Sequence, residues 1–308
     1  MKRTVFQQEN GIIDGDSMNI PVKRVHAFAT TSDGGNPAGV VLNAPVITAE
    51  QMMSVSQALA VSETAFVYPS AKADFKVLFF SPSVEVDLCG HATIATFFTM
   101  AQEGLFQKRK RLTVTQETKA GIFPVDIAFS DDGNVDKVMM TQKKSIYKNI
   151  QLDIQKISYA LGIHDHDIDT SLPHQIVSTG LFTLPLCVQS FDILKTMKPD
   201  FSKVNSLCQK FGVGSFHVFT FDTIEPSSIY HARNFAPPYG IYEDPVTGTA
   251  NGAVCSYLLK HNLVSTGHLI CEQGDSMGRP GRVTVELTNN VVKVGGRATI
   301  VEEKTLTV

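Results

Sequence analysis

The sequence has no long apolar run, no C-x-x-C cysteine pair and no large excess of either charge. We therefore expect neither a membrane-spanning segment nor a signal peptide. A net charge of −3 and an isoelectric point near 6.3 argue against nucleic acid or an anionic membrane surface as a partner. The scattered cysteines argue against a disulfide framework or a zinc site and indicate a reducing compartment, the cytoplasm. They are Cys89, Cys187, Cys208, Cys255 and Cys271.

Two segments about half a chain apart look like copies of one motif, which we name the glycine motif. Leu88–Phe98 and Val246–Ser256 each contain a glycine followed by a polar residue, an alanine and an apolar stretch of helical character. Gly248 follows Gly90 by 158 residues (248 − 90). The chain therefore resembles an internal duplication, with one helix of this kind in each half.

The two copies of the glycine motif are suited to binding an anion. A helix N-terminus offers unpaired N–H groups and the positive end of the helix dipole. Gly90 and Gly248 allow a ligand to approach the backbone closely. We therefore expect a cleft between two lobes that holds a small carboxylate-bearing substrate, and no metal.

The order of the remaining patterns predicts an α+β protein of two similar lobes. Many short strands and one central apolar helix per half are typical of a curved, mostly antiparallel sheet wrapped around a helix. We expect the first lobe over 18–145, the second over 146–290, and strands in 291–308 that return to the first lobe. Residues 1–17 are polar and are predicted to be a disordered extension, and 141–152 are interpreted as a polar bridge.

Local signals predict where individual helices begin and end. Thr48 and Gln51 have the spacing of a capping box. Gly162 and Gly212 follow amphipathic stretches and are typical helix terminators.

Four motifs resemble the signatures of the PhzF-like phenazine-biosynthesis family, in order and in spacing: Gly35–Val40, Ser62–Val67, Leu88–Thr93 and Glu243–Ala250. The resemblance runs from about residue 18 to the C-terminus. It implies the diaminopimelate epimerase-like fold, no cofactor or metal, and by likeness a homodimer. It also implies isomerisation by proton movement on a small carboxylate-bearing substrate, as in trans-2,3-dihydro-3-hydroxyanthranilate isomerase-type chemistry.

The resemblance assigns catalytic roles to three residues that also have plainer interpretations. Glu63, at a helix-to-strand junction, is the expected general acid/base, although a glutamate there is commonly just exposed. Asp244 is expected to hydrogen-bond the substrate, although aspartate before proline is also a common turn residue. His91 is expected to bind substrate or carry a second proton, although a histidine at a helix end can simply satisfy a carbonyl group.

Further residues complete the expected site. Gly90, Gly248, Thr249 and Asn36 are expected to bind substrate, and Thr249 retains a hydroxyl where the family commonly has serine. Related epimerases use one cysteine before each of the two helices. Here Cys89 has Thr247 as its counterpart, so we interpret Cys89 as a small buried residue.

The favoured function is a cofactor-independent isomerase. One alternative is an amino-acid racemase or epimerase on the same fold, which paired cysteines would favour. The other is a non-catalytic protein that binds a small molecule in the same cleft.

Overall fold

The computed structural model describes residues 18–106, 109–289 and 291–308, so the predicted disordered extension 1–17 lies outside the described residues. The strands are β1 Asn19–Ala27, β2 Asn36–Val41, β3 Thr64–Tyr68, β4 Phe75–Phe80, β5 Glu85–Val86, β6 Arg111–Thr118, β7 Gly121–Phe129, β8 Val135–Thr141, β9 Ile146–Asn149, β10 Gln175–Ser178, β11 Phe182–Cys187, β12 Ser215–Thr220, β13 Tyr230–Ala236, β14 Ile241–Asp244, β15 Gly267–Gln273, β16 Gly281–Thr288, β17 Val291–Gly296 and β18 Ala298–Thr307. The helices are α1 Ala49–Leu59, α2 Gly90–Gln102, α3 Ile154–Leu161, α4 Phe191–Thr196, α5 Phe201–Phe211 and α6 Gly248–Lys260.

These elements form two compact units. The first unit comprises the chain through Ser32, Pro37–Met140 and Gly295–Val308. The second unit comprises Asp33–Asn36 and Thr141–Val294. The sequence-based division at 145/146 and 290/291 stays a prediction for the limits of the lobes.

The same strand pairing recurs in the two units. In the first, β2 is parallel to β3, β3 antiparallel to β4, β4 parallel to β6, and β6 antiparallel to β7. The second unit has the same order of pairs: β11 is parallel to β12, β12 antiparallel to β13, β13 parallel to β15, and β15 antiparallel to β16. The repeat is the topology expected of an internal duplication. In the first unit, β18 also pairs antiparallel with β1 along its length.

Each unit encloses one buried helix. The α2 helix packs against β1, β3, β7 and β18, and ten of its thirteen residues are buried. Its buried hydroxyls donate to carbonyl groups four residues back, as Thr93 does to Cys89 at 2.7 Å, so no separate polar partner is needed for them. The α6 helix is equally buried and packs against β10, β11, β12 and β16. The α+β fold predicted from the sequence is confirmed.

Local sequence signals for helix ends are also confirmed. The Thr48 hydroxyl accepts from the Gln51 N–H at 3.2 Å, and the Gln51 side chain accepts from the Thr48 N–H at 2.9 Å. Gly162 and Gly212 end their helices in the left-handed region, with φ of 70° and 67°. Side-chain and backbone geometry within one turn therefore determines these boundaries.

The interpretation of 141–152 as a polar bridge is wrong in part. Ile146–Asn149 forms β9, which pairs antiparallel with β10. Most of its residues are exposed, so it lacks the apolar alternation that identifies strands in a sequence. Its pairing to β10, and not its own composition, makes it a strand.

Glu272 on β15 is a fully buried carboxylate with strong donors around it. It accepts hydrogen bonds from His231 Nδ1 at 2.8 Å and from the N–H groups of Ile224 at 2.9 Å and Glu225 at 2.6 Å. Burial by itself would raise the pKa of the Glu272 carboxyl, but these donors lower it from 4.5 to about 2. The ionised carboxylate thus stabilises the second unit.

We expect this stabilisation to depend on pH in a defined direction. Because the folded-state pKa lies below the unfolded one, the contribution is fully present above pH 4.5 and is lost as the pH falls towards 2. Glu272→Gln should therefore unfold at lower urea than the wild type at about pH 7, with a smaller difference at about pH 3. A difference that stays constant between these two pH values would contradict the prediction.

Candidate active site

In the first unit, Glu63, Cys89 and His91 converge at the start of α2; we name them the acid–base cluster. His91 Nε2 lies 3.3 Å from Glu63 Oε2, and His91 Nδ1 lies 3.5 Å from Cys89 Sγ. The Ser62 hydroxyl lies 3.3 Å from the same Nε2 atom. The imidazole thus stands between a carboxylate and a thiol.

The backbone positions Glu63 at the entry to β3. Its carbonyl group accepts from the Gly39 N–H at 2.9 Å, where β2 and β3 run parallel. A Cβ at Gly39 would lie 2.4 Å from the Thr64 hydroxyl, so the two strands approach closely only because residue 39 is glycine. The Glu63 side chain is 16% exposed and that of His91 13%, so the pair is largely shielded yet reachable by solvent.

Cys89 has a closer relation to the site than the sequence indicated. It is buried, as expected of a small apolar residue, but its sulfur faces the His91 ring. Cys89 is the N-cap of α2 and His91 its second residue, so the turn into the helix brings the two side chains together. Spacing alone does not reveal this, because residues two apart on a helix do not face each other.

In the second unit, Asn36, Asp244 and Thr247 form what we name the carboxylate cluster. Asp244 Oδ1 accepts from the Asn36 amide at 2.8 Å, and Oδ2 accepts from the Thr247 hydroxyl at 2.5 Å. The Asn36 amide also donates to the Val246 carbonyl group at 2.8 Å. Both oxygens of Asp244 are therefore held in place.

Two buried amides support this cluster, and sequence reasoning missed both. Gln273 at the end of β15 donates to the Asp244 carbonyl group at 2.8 Å and to the Thr247 hydroxyl at 3.1 Å. Its own oxygen accepts from the Thr247 N–H at 3.1 Å and from the Asn251 amide at 2.8 Å. Glutamine at a strand end carries no motif, so only the register of β15 reveals its role.

The two helices whose N-termini are predicted to bind an anion are present, one in each unit, and their anion binding stays a prediction. Helix α2 begins at Gly90 and α6 at Gly248, and within the described structure neither N-cap side chain, Cys89 or Thr247, caps its helix. Their first N–H groups thus retain the donor character and positive dipole that favour an anion. Thr249 is partly buried, and its carbonyl group accepts from the Thr179 hydroxyl at 3.2 Å.

The predicted site residues therefore fall into two groups. Glu63, His91 and Gly90 lie together in the first unit. Asn36 and Asp244 are hydrogen-bonded to each other in the second unit, next to the N-terminus of α6, where Gly248 and Thr249 lie.

Within the described part of the chain, no helix is long and apolar enough to cross a membrane.

The geometry of Asp244 leads to a test of its role. In Asp244→Asn the amide nitrogen faces either the Asn36 amide, where the hydrogen bond is lost, or the Thr247 hydroxyl, which must then accept where it now donates. If Asp244 orients substrate as the sequence predicts, we expect kcat/KM to fall about 10–100-fold, with KM and kcat both affected, because the variant misplaces that group. Asp192→Asn, at an exposed position, is the matched control. Unchanged kinetics in Asp244→Asn would remove Asp244 from the site.

Comparison with known proteins gives this arrangement a family. Residues 25–304 match the family described as phenazine biosynthesis-like protein, PhzC-PhzF. A Bacillus subtilis (strain 168) protein named uncharacterized isomerase YfhB is 35% identical over 287 residues, which cover 92% of this chain and 97% of the relative. The chain belongs to the PhzF-like family.

Solved structures agree with this membership. A PhzF-family phenazine biosynthesis protein from Bacillus anthracis is 32% identical, with a TM-score of 0.86 over 94% of this chain and 99% of that one. A hydroxyproline epimerase from Agrobacterium vitis is 14% identical, with a TM-score of 0.59 over 94% of this chain and 91% of that one, and shares the fold alone. The comparisons thus support an isomerase or epimerase of the PhzF-like family on the diaminopimelate epimerase-like fold.

Proposed function

We propose that this PhzF-like protein is a cofactor-independent isomerase that moves a proton on a small carboxylate-bearing substrate. The observation that carries the proposal is the contact of 3.3 Å between Glu63 and His91 at the start of the buried helix α2. A largely shielded carboxylate beside an imidazole is suited to general acid/base chemistry.

In this mechanism Glu63 takes a proton from a substrate carbon and becomes a neutral acid. The electron pair left behind is delocalised into the substrate, and Glu63 then returns the proton to another carbon. The substrate is isomerised, the enzyme recovers its charge, and no outside reactant is consumed. This is the chemistry of a trans-2,3-dihydro-3-hydroxyanthranilate isomerase-type reaction.

The other residues hold the substrate. His91 and Asp244 orient it by hydrogen bonds, and Asn36 and Thr249 contribute further polar contacts. The N–H groups at Gly90 and Gly248 bind its carboxylate or another anionic group, since both helix ends keep their donor character.

A racemase or epimerase is the second candidate, because Cys89 is within reach of His91. Such an enzyme protonates one carbon from two opposite faces and needs a second acid/base. Thr247 stands at the position matching Cys89, but its hydroxyl donates to Asp244 and has too little acidity to replace a thiol. The chain's own residues therefore favour the isomerase.

A proton-exchange screen tests the proposal. The protein is incubated in deuterium oxide with a panel of small cyclic and amino carboxylates, and each compound is followed by proton NMR. We expect loss of one carbon-bound proton signal together with a positional isomer for at least one compound. Exchange with inversion at a single carbon would favour the racemase, and saturable binding of a compound without exchange would favour the non-catalytic binding protein.

A further inference from the structure

We propose that the acid–base cluster is also a binding site for a thiophilic divalent cation such as Zn²⁺, and that the bound ion inhibits the enzyme. The proposal rests on the proposed function for the inhibition, but not for the binding. Glu63, Cys89 and His91 each offer one ligand atom, and these atoms all lie within 4.8 Å of one another. They constitute the one such group among the residues that the structure describes.

The ligand types are those that zinc prefers. Zinc in proteins is bound by cysteine sulfur at about 2.3 Å, histidine nitrogen at about 2.0 Å and carboxylate oxygen at about 2.0 Å. Three such ligands with a fourth position left open are the usual set of an accessible zinc site. The sequence had argued against a zinc site, because its cysteines are scattered and form no C-x-x-C pair.

The distances are close to those that a tetrahedral ion requires. Around zinc, a nitrogen and an oxygen ligand stand about 3.3 Å apart, and a nitrogen and a sulfur ligand about 3.5 Å apart. His91 Nε2 lies 3.3 Å from Glu63 Oε2 and 4.0 Å from Cys89 Sγ. Cys89 Sγ lies nearer to His91 Nδ1, at 3.5 Å, so the imidazole must rotate for one of its nitrogens to join both other ligands around an ion.

Burial and charge also permit binding. The Glu63 and His91 side chains are mostly shielded but keep 16% and 13% of their surface, so an ion has access. Loss of the Cys89 proton on binding gives two negative ligands that balance the charge of the ion. Zinc bound to Glu63 engages the carboxylate that the proposed mechanism uses to accept the substrate proton, so we expect turnover to stop until the ion is removed.

Direct titration tests the binding without any substrate. Zn²⁺ is titrated into the full-length protein in competition with a chromophoric chelator, and Co²⁺ is used to detect a thiolate-to-cobalt charge-transfer band. We expect one equivalent to bind, with the band present. Cys89→Ala should abolish the band and weaken zinc binding at least about 10–100-fold, and His91→Gln should weaken it similarly.

A second pair of histidines provides the control. His164 and His166 stack at 5.2 Å beside Asp165 and Asp167, which is the main rival place for a zinc ion. His166→Gln should leave the affinity and the cobalt band unchanged. Unaltered binding in Cys89→Ala, or loss of binding in His166→Gln, would overturn the proposal.

The activity measurement separates this inference from the proposed function. Once the exchange screen has a substrate, stoichiometric Zn²⁺ should stop exchange and a chelator should restore it. If the protein binds zinc but the metal-free protein exchanges no substrate proton, the metal site is supported and the proposed isomerase activity is refuted. If proton exchange continues while zinc is bound, the proposed inhibition is refuted and the proposed isomerase activity is supported.

Discussion

Glu63→Gln is expected to lower the rate of proton exchange by about 10²–10⁴-fold, the usual contribution of a general acid/base, or more if Glu63 handles the proton alone. The amide keeps the volume of the side chain and can still hydrogen-bond His91, but it cannot carry a proton. Binding of the substrate should therefore change much less than the rate. Single-turnover exchange in deuterium oxide and a separate measurement of ligand affinity distinguish the two.

Two further variants make this test specific. Glu63→Asp retains the acid but withdraws it by one methylene, so its rate should fall between those of the wild type and Glu63→Gln. Glu302→Gln removes a partly exposed carboxylate elsewhere in the first unit and should behave as wild type. Exchange at the wild-type rate in Glu63→Gln would refute the mechanism, whereas the fold would be unaffected.

Gly274→Ala is expected to cause a large loss of stability. Gly274 follows Gln273 and has φ of 93°, a left-handed conformation that favours glycine. A Cβ there would lie 2.2 Å from the Arg279 carbonyl oxygen and 2.8 Å from that of Pro245. Backbone strain of about 1–2 kcal/mol and overpacking of about 1–3 kcal/mol predict a total loss of about 2–5 kcal/mol.

A second glycine of the same turn provides the control. Gly278 has φ of 67°, but a Cβ added there would meet nothing within 4 Å. Gly278→Ala should therefore cost only the strain of about 1–2 kcal/mol. Urea unfolding of both variants measures the difference, and equal losses would show that the contacts with Arg279 and Pro245 are unimportant. Activity should fall further in Gly274→Ala, because Pro245 adjoins Asp244 and the neighbouring Gln273 donates to the Asp244 carbonyl group.

The sequence by itself predicted what depends on neighbours within a few turns of chain. The capping box of Thr48 and Gln51 and the helix end at Gly162 are local, because hydrogen bonds across three or four residues determine them. Burial of α2 and α6 followed from apolar residues on more than one face. The duplicated glycine motif indicated the repeated topology, since segments of similar sequence form similar secondary-structure elements.

Tertiary structure alone decided which distant side chains meet. Asn36 and Asp244 are 208 residues apart in the chain, and Gln273 reaches Thr247 from another strand, so their hydrogen bonds depend on how the strands pair. Cys89 and His91 are close in sequence, but the turn into α2 and the entry of β3 determine that both approach Glu63. Local propensity cannot specify such contacts, because a hydrogen bond needs both partners positioned to within a few tenths of an ångström. That positioning comes from packing of the whole sheet around its helix.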